Sequence, residues 1–185
     1  MKRLVIAISG PPGSGTTTLG KAIAKKLKLK FFSPGLYFKK LSKRGREGKI
    51  ALALLKTKYG TSRKLHEHID NLQIKKAKTG NIIIEGTLSV HFLRKLSHYK
   101  IWLNVPLKVR AQRTAHREKI PFLQALKEIK NRQSIERTSW KKIYGFDYFN
   151  QKKQADFVLN TAKLPVGKSV GKILDFIKLK EFNPN

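Results

Sequence analysis

Short continuous apolar runs alternate along this chain with stretches in which apolar residues recur every three to four positions. The first run, Leu4 to Ile8 within Lys2 to Ser9, predicts a short strand buried on both faces. From Thr16 to Leu29 the apolar positions Leu19, Ala22, Ile23, Leu27 and Leu29 keep close to helical period. Phe31 to Ser33 predicts a second strand, and Pro34-Gly35 breaks it. The chain then reads as helical and strongly basic to Thr79, with interruptions at Arg44 to Gly48 and at Tyr59 to Thr61. Ile82 to Ile84, bounded by Gly80 and Gly86, predicts a third strand, Tyr99 to Val105 a fourth and Ala155 to Asn160 a fifth. Helical patterns lie between all of them, and an amphipathic helix is expected from about Val166 to Leu179.

Strands alternating with helices predict an α/β fold with a five-stranded parallel sheet covered by helices on both faces. Ligands of such sheets sit beyond the carboxyl ends of the strands. That rule selects the loop at Gly10 to Thr17, the turn at Ser33 to Gly35, the turn Glu85 to Thr87 and the turn Asn160 to Ala162.

The 185 residues suit one domain, expected here as a core (1–35, 80–106 and 155–180) carrying two excursions, about 36–79 and about 107–150. No cysteine occurs, so disulfides, thiolate metal sites and cysteine nucleophiles are excluded. His66 and His68 lie two apart, on different helix faces, and the five histidines show no metal-binding spacing. Met1-Lys2-Arg3 before Leu4 to Ile8 mimics a signal peptide, but the apolar run is shorter than the roughly 7–15 residues one needs. No stretch approaches the roughly 18 apolar residues of a membrane span. The expectation is a soluble cytoplasmic monomer.

Charge changes the picture of the surface. Lys and Arg total 41 against 11 Asp and Glu, a net charge of +30, which implies nonspecific attraction to polyanions such as RNA. The lysines spread over nearly every helix. The arginines concentrate: Arg110, Arg113, Arg117, Arg132 and Arg137 lie in one segment, and the rigid guanidinium fork grips phosphate in two places. Arg110, Arg113 and Arg117 at i, i+3 and i+7 share one helix face and are expected to close together over a polyphosphate. Arg132 and Arg137, five apart, share a face less well, so one is expected to serve a donor and the other an acceptor.

The loop Gly10-Pro11-Pro12-Gly13-Ser14-Gly15-Thr16-Thr17-Thr18 has the glycine spacing of a phosphate-binding loop, with Thr16 where the lysine of that motif stands. A glycine-rich turn between a strand and a helix aims backbone N–H groups and the positive helix end at one point, which suits a polyphosphate. Thr17 falls where a hydroxyl ligates Mg²⁺, and Glu85, ending a buried strand nearby, can hold metal-bound water. Tyr37 and Phe38 either stack on a base or belong to the core. The aromatic residues between Trp140 and Phe149 suit single-stranded nucleic acid or a helix packed on a sheet edge.

These landmarks, with Asp70 and Gln73, Ile84 to Ser89, Trp102 to Arg113, Ile143 to Asp147 and Ala155 to Thr161, resemble the archaeal type of cytidylate kinase among the P-loop nucleoside monophosphate kinases. The resemblance runs along nearly the whole chain. It implies transfer of a phosphoryl group from Mg·ATP to CMP or dCMP, a P-loop fold with a helical acceptor-binding insertion at 36–79, and an arginine-bearing lid at 107–150. It implies that Gly10 to Thr18 hold the donor phosphates, that the turn at Thr161 to Lys163 touches adenine, and that Arg110, Arg113, Arg117 and Arg132 neutralise the transferred group. Asp70, Gln73 and Glu85 would face the acceptor, with Ser33, Gly35, Lys39 and Gly86 beside them. Arginines usual in that group are replaced by Lys39, Thr87 and Ser139, with Arg137 as a displaced substitute for the last, and Leu36 stands where an acidic residue is usual. The alternative is a divergent ATP-binding protein whose basic surface docks on RNA, with nucleotide as a switch.

Overall fold

The computed structural model describes residues 3–41, 57 and 63–182, with backbone alone at 38–41 and 181–182. The side chain of Lys39 and the interruptions expected at Arg44 to Gly48 and Tyr59 to Thr61 lie outside the described residues.

Five parallel strands form one sheet in the order β2-β3-β1-β4-β5. They are β1 (Val5–Ser9), β2 (Lys30–Phe32), β3 (Ile82–Glu85), β4 (Tyr99–Leu103) and β5 (Phe157–Leu159). β1 sits at the centre because all five of its residues are buried, which only a strand covered on both faces allows. Its alternation divides the core. Ile6 and Ile8 join Leu19 and Ile23 of α1 (Thr16–Leu27) and Val170, Ile173 and Ile177 of α7 (Val166–Phe182) on one face. Val5 and Ala7 join Ala77 of α3 (Arg63–Lys78) and Val90 of α4 (Ser89–Phe92) on the other. Each fully buried Ile or Leu contributes roughly 1.5–3 kcal/mol. Truncating Ile8 to Ala would cost about 2–5 kcal/mol.

Two further helices stand over the sheet's carboxyl edge. α5 (Leu107–Glu118) and α6 (Phe122–Tyr144) each begin directly after a proline, Pro106 and Pro121, where a missing N–H costs nothing. Left-handed Lys119 ends α5 and left-handed Gly145 ends α6. A 3₁₀ helix (Tyr148–Gln154) returns the chain to β5, and α2 (Pro34–Leu41) follows β2. Among the described residues no helix is long and apolar enough to cross a membrane.

Candidate active site

The phosphate loop follows directly from the central strand. β1 ends at Ser9, and the chain turns through Gly10 to Gly15 before α1 starts at Thr16. Gly15 needs its lack of a side chain because φ is 95°, in the left-handed region. Gly10 needs it for another reason: a Cβ there would stand 2.9 Å from the Leu103 carbonyl oxygen. The Ser14 N–H donates to the Pro11 oxygen over 3.1 Å and closes the turn. α1 opens with no side-chain cap and no acidic residue in its first turn. Its unpaired N–H groups and positive dipole end are therefore left for an anion.

A cavity joins this loop to two of the other segments selected by the strand-end rule, and the turn Asn160 to Ala162 is not part of its lining. Gly10 to Gly13 and Gly15 to Thr18 line it, as do Ser33 to Gly35 after β2 and Glu85 to Leu88 after β3. α3 contributes His66, Ile69, Asp70 and Gln73, and the helices over the sheet edge contribute Arg117, Arg132, Glu136, Trp140 and Tyr144. Ser14 is buried beneath the loop. The Thr17 hydroxyl donates to Glu85 Oε1 over 2.8 Å, tying the start of α1 to the end of β3. With its proton turned to the carboxylate, the Thr17 oxygen keeps a lone pair for a cation. A hydroxyl and a carboxylate, both hard oxygens, fit Mg²⁺ bound chiefly by substrate phosphates and water.

The arginines separate into different roles. Arg110 is 4 % exposed, and all three of its side-chain nitrogens are engaged by protein acceptors. Nε donates to the Val105 oxygen (3.0 Å), Nη1 to the Pro12 oxygen (2.8 Å) and Nη2 to Gln133 Oε1 (2.7 Å). Burial lowers its pKa, with Tyr148 and Glu136 opposing. The expected joint closure of Arg110, Arg113 and Arg117 over phosphate is thus corrected for Arg110 and Arg113, neither of which lines the cavity; Arg110 braces the loop from behind. Arg113 holds the Ser14 oxygen (3.2 Å), Thr161 Oγ1 (3.0 Å) and the Thr161 oxygen (2.5 Å), so it clasps the phosphate loop to the turn after β5. Burial lowers its pKa too. Arg117 reaches the cavity with a side chain 58 % exposed, beside Glu118 at 2.8 Å. Arg132 meets buried Glu136 over 2.7 Å inside the cavity.

Arg137 is placed elsewhere. Five residues along a helix rotate a side chain by about 140° from its start, and Arg137 pairs with Asp147 on the surface, its guanidinium 5.5 Å from the Phe149 ring. That ion pair raises its pKa. The structure does not bring Arg137 to the cavity with Arg132.

On the wall formed by α3, Tyr144 donates to Asp70 Oδ2 over 2.5 Å, and Gln73 Nε2 lies 3.5 Å from Asp70 Oδ1. Ser89 Oγ donates to Gln73 Oε1 over 2.6 Å. Burial pushes the Asp70 carboxyl up to about 7, aided by Glu67 and opposed by the Tyr144 bond. Ser33 accepts the Leu36 N–H over 3.2 Å and so caps α2. Thr161 is buried against Arg113 and does not itself line the cavity.

Glu136, Trp140 and Tyr144 are cavity residues that the sequence reading did not assign, although Arg132, Glu136, Trp140 and Tyr144 form an unbroken i, i+4 stripe. His66 also lines the cavity, and its ring sits edge-on to Trp140 at 4.9 Å.

A parallel five-stranded sheet, a glycine loop leading into α1 and an overlying helix pair define a P-loop kinase fold. The chain belongs to the cytidylate kinase-like family, whose model matches residues 5–163. It is 35% identical over 176 residues to a cytidylate kinase from Pyrobaculum calidifontis, covering 94% of this chain and 92% of that protein. It is 37% identical over 161 residues to the cytidylate kinase of Pyrococcus horikoshii, covering 87% and 81%. A solved shikimate kinase from Acinetobacter baumannii shares the fold at TM-score 0.66 and 17% identity, covering 97% of this chain and 95% of that one.

Proposed function

We propose that this chain transfers the γ-phosphoryl group of ATP to the phosphate of CMP, with dCMP as a second acceptor. The carrying observation is one cavity that holds the phosphate loop, the Thr17–Glu85 pair, Arg117 and Arg132 together with the buried Asp70–Gln73 pair. The family and its cytidylate kinase relatives support the same activity. Nothing in fold or relatives favours the RNA-docking switch. The net charge of +30 is then a solvated coat with salt-sensitive affinity for polyanions.

The residue roles follow from phosphoryl-transfer chemistry, which asks the protein for position and charge and for little covalent work. Within the loop Gly10 to Thr18, the N–H groups of Gly13 and of Gly15 to Thr18 hold the donor phosphates. Arg113 fixes the turn at Thr161 against the loop, where adenine would lie. An oxygen of the CMP phosphate forms the new bond to the γ-phosphorus, the bond to the β–γ bridging oxygen breaks, and ADP and CDP leave. Arg117 and Arg132 neutralise the group in transit, Arg132 exchanging Glu136 for phosphate. Mg²⁺, when bound near Thr17 and Glu85, would supply charge neutralisation on the donor phosphates. Ser33, Gly35, Lys39 and Gly86 would border the acceptor phosphate. A cytoplasmic setting is consistent with the absence of cysteine.

Phosphorus NMR of the protein with Mg·ATP and CMP tests the reading. CDP and ADP should appear in equal amounts. ADP appearing without CDP would leave only an ATPase, and unchanged spectra would remove the kinase reading altogether.

A further inference from the structure

The positive charge of the chain is not spread evenly. In a parallel sheet with helices on its faces, the helices run back against the strands, so their carboxyl ends gather at the amino edge of the sheet, away from the cavity. Eight cations meet there. Lys25, Lys26 and Lys28 close α1, Lys75, Lys76 and Lys78 close α3, Arg3 precedes β1 and Lys30 begins β2. α1 packs on one face of the sheet and α3 on the other, with the strand starts between them. The backbone ties these segments together: the Lys30 N–H donates to the Asn81 oxygen over 2.9 Å, and the Leu4 N–H to Asn81 Oδ1 over 3.2 Å. Arg3 lies directly over Gly80, where an added Cβ would stand 2.3 Å from the Arg3 Cβ.

All eight side chains are exposed, none lines the cavity and, among the described residues, none takes part in an ion pair. No acidic residue occurs between residues 1 and 46 or between 71 and 84. On the same edge Asp156 is already paired with Lys100, at the start of β4, over 3.0 Å. Basic residues in the last turn of a helix offset its dipole, but Arg3 and Lys30 lie outside helices, so that role does not account for the cluster. We propose that this pole is a docking surface for the phosphate backbone of a nucleic acid duplex. A duplex carries one negative charge per roughly 1.7 Å of its axis, the complement of a compact field of cations without counter-charge. Seven of the eight are lysines, mobile point charges that suit phosphate and do not read base edges as a rigid fork does. No exposed aromatic residue stands among them to stack on single-stranded bases. Of the exposed large apolar residues only Leu179, near the end of α7, lies toward this edge, whereas a basic surface that enters lipid carries a whole apolar face. Docking leaves the cavity open, because the five residues of β1 set the two ends of the sheet about 16 Å apart.

The test is fluorescence anisotropy of a labelled RNA duplex of mixed sequence, titrated with the protein over a range of salt. It needs no turnover and so stands apart from the kinase reading. The logarithm of affinity should fall against that of salt with a slope of about −0.9 per phosphate contacted. Lys26→Gln, Lys30→Gln, Lys75→Gln and Lys78→Gln combined should lower affinity at least about 10-fold and flatten the slope by about 3 to 4. A control variant loses the same charge from exposed lysines elsewhere, by Lys141→Gln, Lys142→Gln, Lys152→Gln and Lys153→Gln, and its slope should stay within about 1 of the original. Mass spectrometry after lysine acetylation gives a second reading on the unaltered protein: bound duplex should protect Lys26, Lys30, Lys75 and Lys78 and leave the control lysines reactive. A control variant that loses as much affinity and slope as the pole variant overturns the proposal, because the charge then acts as an even coat. So does a pole variant with an unchanged slope, or a single strand bound more than about 10-fold tighter than the duplex. Binding to phosphatidylserine vesicles that is lost with the pole while duplex binding is kept would reassign the surface to membrane and overturn it as well.

Discussion

Thr17 Oγ1 donates to Glu85 Oε1 over 2.8 Å, joining the first turn of α1 to the end of β3 beneath the phosphate loop. Removing either partner should weaken use of Mg·ATP more than it weakens the fold. Glu85→Gln is expected to raise the Mg²⁺ concentration for half-maximal rate at least about 10-fold, because an amide holds cation-bound water less well than a carboxylate. Thr17→Val should act in the same direction. A rate titration with Mg²⁺ at saturating ATP reads both, and an unchanged midpoint would detach the pair from the metal.

The arginines should divide into two experimental classes. Arg117→Ala is expected to lower kcat by roughly 10³-fold or more while leaving stability within about 1 kcal/mol, since its own side chain is 58 % exposed and Glu118 has a further partner. Arg110→Ala should instead destabilise the protein by about 2–5 kcal/mol, because three bonds of a buried cation are lost and the Pro12 oxygen is orphaned. Arg137→Ala should change neither quantity much. Urea denaturation beside kcat for the three variants separates these outcomes.

The strands were legible in the sequence because buried parallel strands leave continuous apolar runs that glycine and proline bound. Val5–Ser9 and Ile82–Glu85 fall within a few residues of the expected limits. The strand-end rule likewise brought Ser33, Glu85 and the phosphate loop to one cavity. Arg110 was not legible in the same way. Its i, i+3, i+7 relation to Arg113 and Arg117 gives a shared face, but only the fold shows that the Pro12 oxygen and Gln133 already occupy that end of it. Glu136, Trp140 and Tyr144 carried a readable four-residue period from Arg132, obscured by aromatic neighbours that equally suit sheet-edge packing.

Asp70 makes stability fall as pH rises. Its carboxyl titrates at about 7 in the folded protein against an ordinary value of 3.8. Between these values the unfolded chain has released the proton that the folded protein still binds, so the stabilisation present below 3.8 is lost as pH climbs to about 7. Asn cannot ionise. The stability of Asp70→Asn relative to the unaltered protein should therefore improve from pH 4 to pH 8, by roughly 1–4 kcal/mol. Chemical denaturation at the two pH values checks this, and a difference independent of pH would mean that Asp70 is not held in its neutral form by burial.

The central claim is that this cavity moves phosphate from ATP to a cytidine monophosphate. Its most direct test is the steady-state rate of ATP-dependent phosphorylation across CMP, dCMP, UMP, AMP and GMP, using protein washed in high salt to strip bound polyanions. The account predicts turnover with CMP or dCMP at a kcat/KM well above that of the other three. Binding of ATP with no turnover of any acceptor, or a purine monophosphate as the preferred substrate, would contradict it.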